Sequence, residues 1–305
     1  MRSASSTKKY ALRKPVSSRG GRTRTADPRV PNAVRYRTAL HPGKGEYNAK
    51  MHEPSRSTFD QSMFPSLYHA HHSLHPEDIP FWLELSRQYP APVLELGCGS
   101  GRVLIPLALE RKGIVGIDRD FDMLRVLRAN LARHPQARAE LIQADFTMFH
   151  LSRKFGLVIL TCNTYSTLTT EERQALLRAV FSHLSPGGAF ATSMPNPALL
   201  NQLPRRAEPE VEEIFPHPID GEPVQVSSGW VRNRDSFTVH WHYDHLFPDG
   251  TTERLSTQVR HYLTPLEQHR QEFEAAGFNQ LNCLGDYDGC EFSPAAAQLI
   301  LIGHR

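Results

Sequence analysis

Nowhere does this sequence run for the ~18 uninterrupted apolar residues that a helix needs to cross a membrane, and its basic start lacks the apolar block, about 7–15 residues long, of a secretory signal. Both absences exclude a membrane span and export from the expectations, and the expected compartment is the cytoplasm. Cysteine is sparse as well. Its four copies, Cys98, Cys162, Cys283 and Cys290, form no C-x-x-C pair, which argues against a zinc knuckle or a disulfide framework and fits reduced thiols. What is present is a chain of 305 residues, 39% hydrophobic, enough for one sizeable core with an accessory element.

Charge has to be split along the chain before it means anything. Residues 1–50 carry 13 Lys and Arg against 2 Asp and Glu, so the remaining 255 positions hold 22 basic and 30 acidic residues, a balance of −8. A polyanion binder needs its positive charge on a folded face; here it lies in a tail, so nucleic acid is not the expected partner. Residues 1–62 show no helical or alternating apolar period and are expected to be disordered. A basic arm, an organellar transit segment and a stretch that is never translated are the functional readings. The last has the most support. Arg22-Thr23-Arg24-Thr25 and Tyr36-Arg37-Thr38-Ala39-Leu40-His41-Pro42 resemble the reverse-strand translation of a tRNA gene's T-arm and D-arm, in order and in one frame, so translation is expected to start at Met51 or Met63.

Chemistry enters at VLELGCGSGR, residues 93–102. An apolar strand runs into a glycine turn and then into a helix; GIVGIDRD supplies a second strand ending in Asp118, and Leu124, Leu127 and Leu131 follow at helical spacing. The result is a β-α-β unit with an acid 21 residues beyond Gly97, where nucleotide-binding folds place their ribose acceptor. A dinucleotide fingerprint needs G-x-G-x-x-G, but here Arg102 stands at the third glycine's place. Glu95 would also repel a pyrophosphate. A ligand with a sulfonium, an ammonium group and no phosphate would instead gain from that carboxylate, which points to S-adenosylmethionine.

On these residues the chain resembles the class I S-adenosylmethionine-dependent methyltransferases. Glu95 to Gly101 match the family's first motif, Asp118 its ribose-binding acid and LIQADF (141–146) its adenine-binding segment. The resemblance implies a Rossmann-like α/β fold with a seven-stranded sheet whose last strand is antiparallel. It implies cofactor contacts from Tyr68, Glu95, Gly97, Cys98, Gly99, Gly101, Arg102, Asp118, Arg119, Ala144, Asp145, Phe146 and Asn163. One departure is Gly156, where the family commonly has Asp, and it is expected to loosen a turn. The domain so defined spans residues 63–305.

Some 60 residues, about 200–262, intervene before the last helix and read as an antiparallel β insertion. DSFTVHWHYDHLF alternates, PDGT (248–251) signals a hairpin, and ERLSTQVRHYL returns. Such a flap should cover the strand ends and form part of an acceptor pocket. His240, His242 and Asp244 share its polar face, where they are expected to be plain polar surface and not metal ligands; no metal is expected. Upstream, His69, His71, His72 and His75 precede a helix bearing Ile79, Phe81, Trp82 and Leu85. His71, His72 and His240 are the candidates for acceptor binding or proton removal. Thr169-x-x-Glu172 and Thr264-Pro265-x-Glu267 are expected to form capping boxes.

The expected reaction is methyl transfer to an oxygen, nitrogen or carbon atom of a small-molecule acceptor, with the acceptor, the atom and any homo-oligomer left open. An RNA or protein methyltransferase, and a non-catalytic protein that binds the cofactor, are the alternatives.

Overall fold

The computed structural model describes residues 63–305; the expectations of disorder and of a later start fall on residues outside that range. Two sheets carry the domain. The larger has seven strands in the order β10-β11-β5-β4-β1-β2-β3. Its first four are β1 (Val93–Leu96), β2 (Ile114–Asp118), β3 (Ala139–Gln143) and β4 (Phe155–Leu160), followed by β5 (Leu184–Pro195), β10 (Gln280–Leu284) and β11 (Gln298–His304). β1 pairs in parallel with β2 and β4, while β11 runs antiparallel to both β5 and β10. The expected reversal of the last strand is therefore present.

Burial explains why β1, β2 and β4 read as continuous apolar runs. Every residue of the three is buried, because helices cover both faces of a parallel sheet. α3 (Leu104–Glu110) and α4 (Phe121–Ala132) lie on one side, α5 (Thr170–His183) and α7 (Leu266–Ala275) on the other. Gly156 lies inside β4, not in a loosened turn. A Cβ there would stand 2.0 Å from the Pro90 carbonyl oxygen, so close approach of the chain forbids the family's usual aspartate.

The Thr169 capping box forms: its hydroxyl accepts from the Glu172 amide at 3.3 Å while Glu172 Oε2 accepts from the Thr169 amide at 2.9 Å. The second does not. Pro265 occupies the cap position of α7 without a side-chain bond, since proline supplies a fixed φ in place of a hydroxyl acceptor.

Between β5 and α7 stand the short helix α6 (Pro197–Leu200) and a four-stranded antiparallel sheet, β6 (Arg206–Pro216), β7 (Pro223–Arg232), β8 (Ser236–Leu246) and β9 (Thr252–Tyr262). Phe237, Val239, Trp241 and Tyr243 are buried on one face of β8, as alternation predicts. They pack with Leu67 and Phe64 of the leading helix α1 (Phe64–His72). Thus α1 bridges the insertion and the carboxyl end of the large sheet. α2 (Ile79–Arg87) follows, burying Phe81, Trp82 and Leu85.

Candidate functional site

At the end of β1 the backbone enters left-handed conformations at Gly97 (φ 61°), Gly99 (φ 50°) and Gly101 (φ 93°), which side chains other than glycine resist. Gly101 is further constrained by space, since a Cβ would lie 2.2 Å from Leu127 Cδ1. Asp118, at the end of β2, accepts the Gly99 amide at 2.7 Å and the Asp120 amide at 2.9 Å. Asp118 therefore shapes the turn and holds Asp120, the cap of α4, which accepts the Asp122 and Met123 amides at 2.8 and 3.1 Å. Cys98 donates its amide to the Ile117 carbonyl at 3.0 Å and is buried against β2.

Glu95 lies beneath this turn, 2% exposed. Oε1 accepts the Thr161 hydroxyl at 3.1 Å, while Oε2 is buried without a hydrogen-bond partner. Burial pushes the carboxyl up to about 8, against the pull of Thr161 and Arg102. A buried carboxylate oxygen left unpaired is costly, and a cationic ligand would offset that cost.

The same end of the sheet gathers the remaining cofactor candidates. The Ala144 amide donates to the Asp118 carbonyl at 3.0 Å, which fixes the segment after β3 beside β2. Asp145 caps its own turn through Thr147, at 2.9 Å to the amide and 2.7 Å to the hydroxyl, and Phe146 is buried beside it. Arg119 follows Asp118, and its carbonyl accepts from Gln143 at 3.3 Å. Asn163 comes after β4 in a left-handed conformation, φ 61°, directly after Cys162 at φ 58°. Two consecutive non-glycine residues of this kind are uncommon and mark functional loops. Asn163 Oδ1 is also buried without a hydrogen-bond partner.

Arg102 is engaged by protein groups on three sides. Its guanidinium pairs bidentately with Asp78 at 2.6 and 2.8 Å, and also reaches the His75 carbonyl and Cys162 Sγ, both at 3.0 Å. The arrangement ties the glycine turn, the loop after β4 and the start of α2 into one body. Asp78, Thr161 and Cys162 belong to this cluster, and sequence reasoning missed them. One local signal was available for Asp78, which stands at the N-cap of α2 but caps nothing, its carboxylate being held by Arg102 and by Trp82 Nε1 at 3.0 Å.

Three of the four histidines, His69, His71 and His72, belong to α1, and His75 follows in the segment before α2. His69 Nδ1 lies 3.0 Å from the Ser100 hydroxyl, anchoring α1 on the glycine turn. Tyr68 is buried, its ring centroid 4.2 Å from that of His72. Burial raises the phenol well above its usual value, with Cys162, Arg102 and Asp118 among the charges acting on it, so Tyr68 lies near the charged groups at the glycine turn and the loop after β4. His71 turns toward the insertion, where Nδ1 lies 3.0 Å from the Tyr243 hydroxyl. Burial, with a further contribution from His75, pushes it down to about 3. His240 is not brought to this cluster. It sits on the opposite face of β8 from Trp241 and Tyr243, half-buried near Arg206. His242 bonds Ser256 at 2.7 Å, and Asp244 pairs with Arg254 at 2.6 and 2.8 Å.

The left-handed glycines and the orphaned Glu95 oxygen suit a cationic nucleoside better than linked phosphates. A family model described as a methyltransferase domain matches residues 93–188, from β1 into β5. Residues 93–188 are thus similar to a methyltransferase domain. The chain's methyltransferase fold is shared with a structure of an S-adenosylmethionine-dependent methyltransferase from Clostridium acetobutylicum ATCC 824, at TM-score 0.65 and 16% identity over 79% of this chain and 97% of that one. The sugar N-methyltransferase KedS8 from Streptoalloteichus sp ATCC 53650 superposes at TM-score 0.63 and 21% identity, over 84% and 99% of the two chains. In sequence, the cypemycin N-terminal methyltransferase of Streptomyces sp is 33% identical over 108 residues, 35% of this chain. That match spans 42% of the relative's length, less than half.

Proposed function

We propose that this methyltransferase domain moves a methyl group from S-adenosylmethionine to a nucleophilic atom of a small-molecule acceptor in the cytoplasm. The observation that carries the reading is Glu95, a buried carboxyl with one unpartnered oxygen beneath a left-handed glycine turn. The cofactor would supply an activated methyl group on a sulfonium. Glu95 and Asn163 would face its positively charged end, Asp118 its ribose, and Asp145 with Phe146 its base. With the leaving group already activated, the protein contributes alignment and exclusion of water, worth several kcal/mol in favourable cases.

The insertion and α1 enclose the acceptor side. Tyr68 and His72 are the polar groups that α1 offers there, and His72 is the imidazole best placed to orient an acceptor or take its proton. His240 stands on the wrong face of β8 for that role. Small acceptors are favoured over nucleic acid because the charge balance of residues 51–305 is −8, and the named substrates of similar folds include sugars.

Incubating the protein with methyl-labelled cofactor and a cell extract tests the reading. Label in a small metabolite supports it, and loss of that label in His72→Ala but not His240→Ala supports the assigned histidine. Label in RNA or protein alone contradicts the acceptor class. Cofactor binding without any transfer would make the protein a non-catalytic binder.

A further inference from the structure

A second cluster lies where α1 meets the insertion, and the chemistry described above does not use it. His71, near the end of α1, and His75, in the segment between α1 and α2, both aim an imidazole nitrogen at Glu213 of β6. His75 Nε2 lies 3.0 Å from Glu213 Oε1, and His71 Nε2 lies 3.9 Å from Oε2. The three donor atoms lie within 4.8 Å of one another. The two imidazole planes are nearly perpendicular, at 80°.

The hydrogen bonds of this cluster are incomplete. Glu213 Oε2 is buried and has no hydrogen-bond partner. His71 is 2% exposed, between the rings of Phe215 and Trp241. Its Nδ1 is engaged by the Tyr243 hydroxyl, which fixes the ring and leaves Nε2 facing the orphaned oxygen. A lone pair opposite a carboxylate oxygen at 3.9 Å is too far for a good hydrogen bond. It is a separation that a cation bound to both would span, given metal–ligand distances of about 2.0–2.2 Å. A hydroxyl on the far nitrogen is the outer support that metal-binding histidines usually carry. The side chains of His75 and Glu213 are 18% and 20% exposed, which gives an ion a path in.

We propose that His71, His75 and Glu213 form a binding site for a divalent transition-metal ion of the zinc class, with three protein ligands and one open position, that clips the leading helix to the β insertion. The proposal is independent of the methyltransferase reading. It is also distinct from the polar face of β8, where the side chains of His242 and Asp244 are committed to Ser256 and Arg254. A rival cluster, His217, Asp220 and His245, lies at the β6–β7 hairpin. There the imidazoles stack at 4.1 Å and 22°, and the carboxylate they share belongs to an exposed residue.

The test uses the full chain, stripped of metal with a chelator and titrated with Co2+, then with Zn2+ in competition. The expected result is one equivalent of Co2+ with the intense visible bands of a four-coordinate ion, displaced by Zn2+. Glu213→Gln and His75→Ala should each abolish the bands, and Tyr243→Phe should weaken binding about 10–100-fold, as loss of an outer-shell partner does. His217→Ala should leave them unchanged. Circular dichroism of each metal-free variant separates lost ligation from lost folding, and His75→Ala, at a partly exposed position, keeps the test open if Glu213→Gln fails to fold. The proposal is overturned if the wild type binds no Co2+, if the bands persist in both His75→Ala and Glu213→Gln, or if they vanish in His217→Ala instead.

Discussion

The large sheet and the inserted sheet differ in the ion pair each holds most firmly. The helices on the parallel sheet bury one pair completely, beside exposed pairs such as Asp122–Arg125. Asp118 shapes the glycine turn, and Arg173 on α5 pairs bidentately with Glu272 on α7 at 2.8 and 2.7 Å. Both partners of that pair are nearly inaccessible. Burial alone would raise Glu272, but the hydrogen bonds and charge of Arg173 outweigh it and hold the carboxyl at about 2. In the insertion, the corresponding pair of Asp244 and Arg254 leaves the arginine side chain 57% exposed. The difference shows where the fold depends on charge and where it only tolerates it.

The contrast between the sheets would break first at the buried pair. Arg173→Met leaves Glu272 uncompensated and should cost about 3–5 kcal/mol in denaturant unfolding. Restoring an apolar pair with Arg173→Met and Glu272→Met together should recover most of that loss. A loss below about 1 kcal/mol for the single variant, the range of an exposed pair, would mean that the two regions do not differ as described.

Asp118→Asn places an amide where the Gly99 and Asp120 N–H groups need an acceptor. Hydrogen bonds to a charged group contribute about 1.5–3 kcal/mol, so cofactor affinity should fall roughly 10-fold to 100-fold by calorimetry. The insertion should be unaffected, with hydrogen exchange in β8 and β9 unchanged.

Glu95 sharpens the contrast through pH. Its carboxyl is raised from an ordinary 4.5 to about 8, so the fold prefers the neutral form. That stabilisation is complete at pH values below the unfolded value near 4.5 and is lost as pH rises toward 8. Binding of a cation has the opposite linkage. Affinity for S-adenosylmethionine should rise with pH up to about 8, by at most roughly 10-fold per pH unit, and then level off. Glu95→Gln should flatten both slopes. The smallest effect belongs to the exposed pair, where Arg254→Ala should cost about 0–1 kcal/mol with cofactor binding intact.

Local pattern made the large sheet and the β8–β9 hairpin legible. Continuous apolar runs announced β1, β2 and β4, and the glycines with Glu95 and Asp118 announced the cofactor end. β6 was harder to read, because its pairing with β7 is interrupted between Ala207 and Glu210 and again between Val211 and Glu213, so strict alternation fails. The Asp78–Arg102 link and the meeting of His71 with Glu213 join segments far apart in sequence, and the left-handed pair at Cys162 and Asn163 has no glycine to announce it. No periodicity encodes such contacts. Gly156 shows the same limit, since only the path of Pro90 explains it.

The proposed function makes the turn at residues 97–101, with acids beneath and beside it, a receptor for a positively charged nucleoside. Calorimetric titration of the protein with S-adenosylmethionine and, separately, with a nicotinamide dinucleotide tests this most directly. Saturable binding of the former and none of the latter is the predicted result. Uptake of the dinucleotide with no response to S-adenosylmethionine would contradict it.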